Sequence, residues 1–283
     1  MDLGPDNLKT PFSLAARRRG SRAPEPADIP QISPFLLQGF HRYIRFYLRR
    51  SFHAVRLSRA GPPPHLPDRS LVIFLNHPSW WDPLVCLFLA DALFPDRRHY
   101  GPIDAEALAR YRIFARMGFF GVIPGSRSSA LAFLRVSQAI LRQPQSALWI
   151  TPEGAFTDPR QRPTRLQSGI SHLARRLDRA FFVPLALEYP FWQERFPEAL
   201  VRFGDGIPVE PGLSVEDYAA LFSARLEATQ DALARDARNQ DRDRFEILLS
   251  GNAGIGGIYD AWRSLRARWR GEAFRKSHGA DDS

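Results

Sequence analysis

A histidine stands five residues before an aspartate in Asn76-His77-Pro78-Ser79-Trp80-Trp81-Asp82-Pro83. Histidine is the usual general base near neutral pH. A carboxylate on its second ring nitrogen fixes the tautomer and stabilises the imidazolium once a proton has been taken. Along a regular helix five residues turn about 140° past a full circuit, so two such side chains diverge. The pair meets only if His77 precedes the helix. Pro78 agrees with that, since proline is favoured at the first helical position. The bland alternative is that His77 closes a strand and Asp82 caps a helix.

The elements around this segment must bring the two side chains together. Ser70–Leu75 reads as a short buried strand leading into Asn76, and Pro83–Phe94 as a buried helix leading out. Strand ends of this kind carry the sites of α/β sheets. Further along, Ala105–Met117 reads as a helix, Phe119–Ile123 as a strand, and Ser128–Leu141 as a helix after the Pro124-Gly125 turn. Ala147–Ile150 reads as a strand ending at Thr151-Pro152-Glu153-Gly154, and Leu166–Leu177 as a helix. Phe181–Glu188 and Leu200–Phe203 read as strands. Ser214 with Asp217 resembles a capping box for a long polar helix reaching about Ala237. Strands alternating with helices predict an α/β layered domain, with a central mostly parallel or mixed sheet flanked by helices.

The flanks differ from this core. Residues 1–30 are polar, proline-rich and arginine-containing, without the apolar run of a secretory signal, and read as a flexible leader. Residues 31–60 read as a basic amphipathic helix, with its periodic part over 34–58. Leu36, Phe40, Tyr43, Ile44, Tyr47, Ser51 and Val55 fall near one face; Arg42, Arg45, Arg49, Arg50, Arg56 and Arg59 dominate the rest. No acidic residue occurs from Ile29 through Pro67. Such a helix suits the interface of an anionic bilayer, and equally a helix packed on the core with a basic outer side. Residues 61–250 form the main domain, and 251–283 a basic C-terminal helix and tail with Trp262, Leu265 and Trp269 at helical spacing.

Composition narrows the partners. The formal charge is +9, carried almost wholly by arginine, with lysine only at Lys9 and Lys276. That points to an anionic partner, although an arginine bias is also what a G+C-rich coding sequence produces. Nucleic acid is not expected, because no reading motif accompanies the charge. No stretch reaches the roughly 18 apolar residues of a spanning helix. The lone cysteine, Cys86, allows no intrachain disulfide and no cysteine-based zinc site, and in its apolar run it reads as an inert thiol. No metal-ligand pattern and no Gly-x-Ser-x-Gly elbow is present. Gly254-Ile255-Gly256-Gly257 lacks the spacing of a dinucleotide loop.

The segment Asn76–Asp82 resembles the signature of the glycerolipid and lysophospholipid acyltransferase superfamily: a histidine, four residues, an aspartate. Thr151-Pro152-Glu153-Gly154 resembles the family's Pro-Glu-Gly block, and Val183-Pro184-Leu185-Ala186-Leu187 its later apolar block. Gly118–Arg127 occupies the place of the middle block. The resemblance covers roughly residues 70–190. It implies an O-acyltransferase of phospholipid biosynthesis, with His77 and Asp82 catalytic and Glu153, Gly154, Arg127, Arg160 and Arg162 binding substrate. An acyl group would pass directly from acyl-CoA or acyl carrier protein to a lipid hydroxyl, such as that of 1-acylglycerol-3-phosphate. No acyl-enzyme, metal or cofactor is implied, and backbone amides near Gly154 are candidate donors to the oxyanion. Glu153 binds the acceptor or holds loop amides; Trp80 and Trp81 line the entrance or pack inside.

Two departures weaken the phosphate part of this expectation. Pro124-Gly125-Ser126 stand where the family's middle block usually carries arginine, leaving Arg127. Ala155-Phe156-Thr157-Asp158-Pro159 follow the Pro-Glu-Gly block in place of threonine and arginine. A phosphate-free amphiphile, such as a glycolipid or amino-acid lipid, is therefore an alternative acceptor. A non-catalytic basic membrane-binding module is a third reading. The expected location is peripheral, on the cytoplasmic face of the cell membrane.

Overall fold

The computed structural model describes residues 29–66 and 69–252. The expected leader and the C-terminal helix and tail therefore fall outside the described residues, apart from 29, 30, 251 and 252. In chain order the elements are α1 (Pro34–Ser51), β1 (Ala54–Ser58), β2 (Ser70–Leu75), α2 (Asp82–Leu93), β3 (Arg98–Asp104), α3 (Ala105–Arg110), a 3₁₀ turn at Arg112–Met117, β4 (Phe119–Val122), α4 (Arg127–Leu141), β5 (Ser146–Ile150), α5 (Gly169–Ala174), β6 (Ala180–Glu188), β7 (Glu198–Phe203), β8 (Ile207–Pro208), α6 (Val215–Asn239), a second 3₁₀ turn and β9 (Phe245–Ser250).

One sheet runs in the order β4-β3-β5-β2-β6-β7-β1-β9, with β8 beside β6. The strands from β4 to β6 are parallel, so their C-terminal ends share one edge. β7 turns antiparallel to β6, β1 runs parallel to β7, and β9 returns antiparallel on β1. β2, β5 and β6 are nearly continuous apolar runs because helices cover both their faces. Leu71, Ile73 and Leu75 face α1 and α2, while Val72 and Phe74 face α4, α5 and α6. α2 is apolar on almost every side, since it lies between the sheet and α1.

The layered α/β reading holds, and three expected helices are corrected. The helix expected over 34–58 stops at Ser51, and Ala54–Ser58 is a fully buried strand between β7 and β9. Pairing on both sides overrides the helical period, and Arg56 turns inward to Glu198 instead of outward. The helix expected over 105–117 breaks at Tyr111 into α3, capped by Asp104, and the 3₁₀ turn. That expected over 166–177 shrinks to α5, because Gln167 N–H is drawn to the Pro152 carbonyl at 2.7 Å. β3 and β9 were not foreseen. The capping box at Ser214 and Asp217 is present and opens α6. Among the described residues no helix is long and apolar enough to cross a membrane.

Candidate active site

The chain leaves β2 at Asn76, whose buried amide clamps the adjoining strand. Its Nδ2 donates to Leu187 O at 3.0 Å and its Oδ1 accepts from Leu187 N at 2.8 Å. His77 follows, outside any helix. Ser79–Asp82 forms a turn, with Asp82 N–H donating to the Ser79 carbonyl at 3.1 Å, and α2 begins at Asp82. The proline of the first helical turn is thus Pro83, not Pro78 as the sequence suggested. The turn brings together what a helix would separate: His77 Nδ1 lies 2.6 Å from Asp82 Oδ2.

Asp82 is 1% exposed and held by three donors. Oδ2 also accepts from Ser79 N–H at 3.1 Å, and Oδ1 accepts from Tyr189 Oη at 2.7 Å. An ionised carboxylate only accepts, so against it His77 Nδ1 is the donor and Nε2 is left able to take a proton. The His77 ring is partly exposed and stands 4.5 Å, centroid to centroid, from the ring of Phe156.

The turn after β5 grips the main chain of His77 from both sides. Glu153 Oε2 accepts the His77 N–H at 2.6 Å, and Thr157 N–H donates to the His77 carbonyl at 2.9 Å. Of its two sequence readings, Glu153 is seen holding a loop amide. Burial pushes its carboxyl above the ordinary value, outweighing the His77 amide that pulls it down. Gly154 shapes this turn with φ of +72°. Its N–H donates to the Thr151 carbonyl at 3.1 Å, so that amide is already engaged.

The arginines are distributed differently. Arg160 grips Asp158 through two bonds of 2.9 and 2.7 Å, and its side chain is 82% exposed. Arg162 reaches Asp231 on α6 and the carbonyls of Pro159 and Gln161. Arg127 opens α4, exposed and with no ion-pair partner recorded among the described residues. It shares the sheet edge with His77, but β3 and β5 intervene between β4 and β2. At about 4.8 Å per strand, that separates the two strand ends by roughly 14 Å.

Trp81 packs between Tyr47 and Phe52, at centroid distances of 5.3 and 4.9 Å, while Trp80 stacks on it and stays half exposed at the surface. Burial, and secondarily the charge of Asp82, raise the Cys86 thiol well above its ordinary value, which keeps it unreactive. The sequence reading missed Tyr189 and Thr157 and gave Asn76 no role. A tyrosine directly after a strand that ends at the site edge was the available signal for Tyr189. Among the described residues no group of three His, Cys, Asp or Glu side chains is arranged to hold a metal ion.

Residues 54–188 match the family model described as Acyltransferase. Over that segment the chain is similar to the acyltransferase family. The part of the chain that matches opens with β1 and closes with β6, and so contains His77, Asp82, Arg127, Glu153, Arg160 and Arg162. Among solved structures it is similar to the crystal structure of the 1-acyl-sn-glycerophosphate (LPA) acyltransferase PlsC from Thermotoga maritima. The identity is 13%, the match covers 70% of this chain and 79% of that one, and the TM-score is 0.48. No curated protein matches this chain in sequence.

Proposed function

We propose that this protein moves a fatty acyl group from acyl-CoA or acyl carrier protein to the hydroxyl of a lysophospholipid such as 1-acylglycerol-3-phosphate. The observation that carries the reading is the 2.6 Å contact of His77 Nδ1 with buried Asp82, which leaves Nε2 as a base. His77 takes the proton of the acceptor hydroxyl as its oxygen attacks the thioester carbonyl. The tetrahedral intermediate collapses, the C–S bond breaks, and the departing thiolate recovers the proton from His77. Asp82 stabilises the transient imidazolium. Glu153 acts through His77, by holding its peptide. No covalent acyl-enzyme, metal or cofactor takes part. The reaction is set at an anionic membrane surface, with the chain peripheral on the cytoplasmic face and α1 lying on the bilayer.

A phosphate-bearing acceptor calls for a free cation, and Arg127 at the start of α4 supports that role. A second reading, a phosphate-free glycolipid or amino-acid lipid, is favoured by a separate observation: Arg160 and Arg162 are already paired with Asp158 and Asp231. A membrane-binding module without catalysis would leave the His77–Asp82 pair without a use.

The test is thioester consumption by purified protein on anionic vesicles, with a panel of acceptors and His77→Ala beside wild type. Turnover with lysophosphatidate that is lost in the variant is the expected result. Turnover confined to phosphate-free acceptors selects the second reading. Equal activity in the variant removes His77 from the mechanism.

A further inference from the structure

A carboxylate swings about a broad terminal torsion, so aligning one oxygen with an imidazole requires something to hold the other. At Asp82 that something is Tyr189, whose hydroxyl donates to Oδ1 at 2.7 Å while Oδ2 serves His77 and the Ser79 amide. Tyr189 follows the last residue of β6, one position beyond the segment matched by the family model. Its ring stands 5.6 Å from that of Phe52, the buried residue that ends α1, and Phe52 in turn meets Trp81 edge-on at 4.9 Å. The phenol is thereby fixed from the sheet, from α1 and from the turn before α2.

We propose that Tyr189 is a positioning residue for the His77–Asp82 pair: its hydroxyl locks the Asp82 carboxylate in line with His77 Nδ1 and draws off part of its charge. This rests on the reading of His77 as the general base. The hydroxyl is suited to the task, because burial, reinforced by Asp82, raises it well above the ordinary tyrosine value and keeps it a donor. Hydrogen bonds to a charged acceptor are the strong ones. Each one Asp82 accepts makes it less basic towards His77. Loss of the Tyr189 bond therefore raises the proton affinity of His77, and a stronger phenol donor lowers it. The other groups facing the pair are Glu153 from the turn after β5, Cys86 along α2 and, acting on Glu153, Arg162; substitution at 189 leaves them in place.

The test compares Tyr189→Phe with the full chain carrying 3-fluorotyrosine at 189, a more acidic phenol of nearly the same shape. The His77 ring is titrated by NMR without substrate, and kcat and KM are measured across pH. In Tyr189→Phe the His77 midpoint and the acid limb of kcat should move to higher pH. Its kcat should fall about tenfold with KM values within about twofold. In the fluorotyrosine chain both should move to lower pH. A His77 midpoint that stays at the wild-type position in both chains overturns the proposal, whatever happens to activity. If Tyr189→Phe does not fold, the fluorotyrosine chain decides alone. If wild type consumes no thioester at all, the acyl-transfer reading fails, while the NMR titration still decides whether Tyr189 tunes His77.

Discussion

Glu153 holds His77 by its peptide and not by its ring: Oε2 accepts the His77 N–H at 2.6 Å. With Thr157 donating to the carbonyl of the same residue, the turn after β5 fixes the backbone on which the imidazole pivots. Glu153→Ala leaves the half-buried His77 amide without its partner, which costs about 1 kcal/mol of stability. It should also lower kcat by at least about tenfold, as expected where positioning is lost. Glu153→Gln keeps an oxygen acceptor and should retain most activity. Thioester turnover and urea denaturation of the two variants check both statements, and equal behaviour of Ala and Gln would remove the hydrogen bond from the account.

The same carboxyl gives stability a pH dependence of known sign. Burial raises Glu153 above its ordinary 4.5. A carboxyl raised in the folded state binds its proton more readily there than in the unfolded chain. It therefore stabilises the fold most below 4.5, and that contribution is lost as pH rises through the raised value. Wild type should gain stability relative to Glu153→Gln as pH falls from 7 towards 4.5, with the difference flat above the raised value. Denaturant midpoints of the pair across that range are the measurement; a difference that shrinks on acidification contradicts the assignment.

The arginines separate by what already occupies them. Arg160 lies on the surface, paired with its near neighbour Asp158, so Arg160→Ala should leave turnover with lysophosphatidate within about twofold of wild type, as exposed pairs contribute little. Arg127→Ala should raise KM for a phosphate-bearing acceptor several-fold and leave a phosphate-free acceptor unaffected, since guanidinium grips phosphate directly. KM series with both acceptor types read this out, and a large effect at Arg160 with none at Arg127 reverses the assignment.

What the sequence made legible follows its physics. His77–Asp82 and the turn at Glu153 could be read because apolar strands lead into them, and strand ends are where an α/β sheet presents side chains. The turn that joins the pair was legible in outcome only: the need for His77 to precede the helix was clear, but α2 opens at Asp82 with Pro83, and not Pro78, in its first turn. β1 was hidden because Val55 and Arg56 also suit a helix. Distant partners, chiefly Glu198, 142 residues on, give Arg56 a reason to face inward. β3 carries glycine, proline and three charged or histidine positions, and is a strand because β4 and β5 flank it. Tyr189 belongs with these: its partner lies 107 residues away.

Glu198 is wholly buried, with His53 Nδ1 at 2.7 Å and Arg56 Nε at 2.9 Å. Burial raises its carboxyl, but the bonds from His53 and Arg56 outweigh that and leave it below the ordinary value. A lowered carboxyl stabilises the fold above its unfolded value, and that stability is lost as pH falls through the folded one. Glu198→Gln strands the buried Arg56 and should destabilise by about 3–5 kcal/mol. The deficit should be largest at neutral pH and narrow as pH falls below the ordinary 4.5 towards the lowered value, through which wild type loses the same charge. Denaturation at pH 7 and pH 3.5 measures it; a deficit unchanged between them would mean that the charge of Glu198 does not contribute.

α1 presents Phe35, Tyr43 and Phe46 to solvent beside the exposed Arg42, Arg49 and Arg50. Its inner side is fastened to α2, with Arg45 Nη2 at 2.9 Å and His41 Nδ1 at 3.0 Å from Asp91. The helix is thus held by one face while its aromatic and basic residues point elsewhere, as an interfacial helix requires. Each arginine near an anionic surface contributes about 1 kcal/mol of attraction. Replacing Arg42, Arg49 and Arg50 together by glutamine should weaken binding to anionic vesicles by about two orders of magnitude and leave the thermal stability of the protein in solution nearly unchanged. Phe35→Ser with Phe46→Ser should weaken binding to anionic and neutral vesicles alike, because burial of apolar surface does not depend on headgroup charge. Co-sedimentation at two salt concentrations distinguishes the contributions, since only the arginine part is screened. Binding that survives both sets of substitutions would assign membrane contact to another part of the chain and leave α1 as a packing helix.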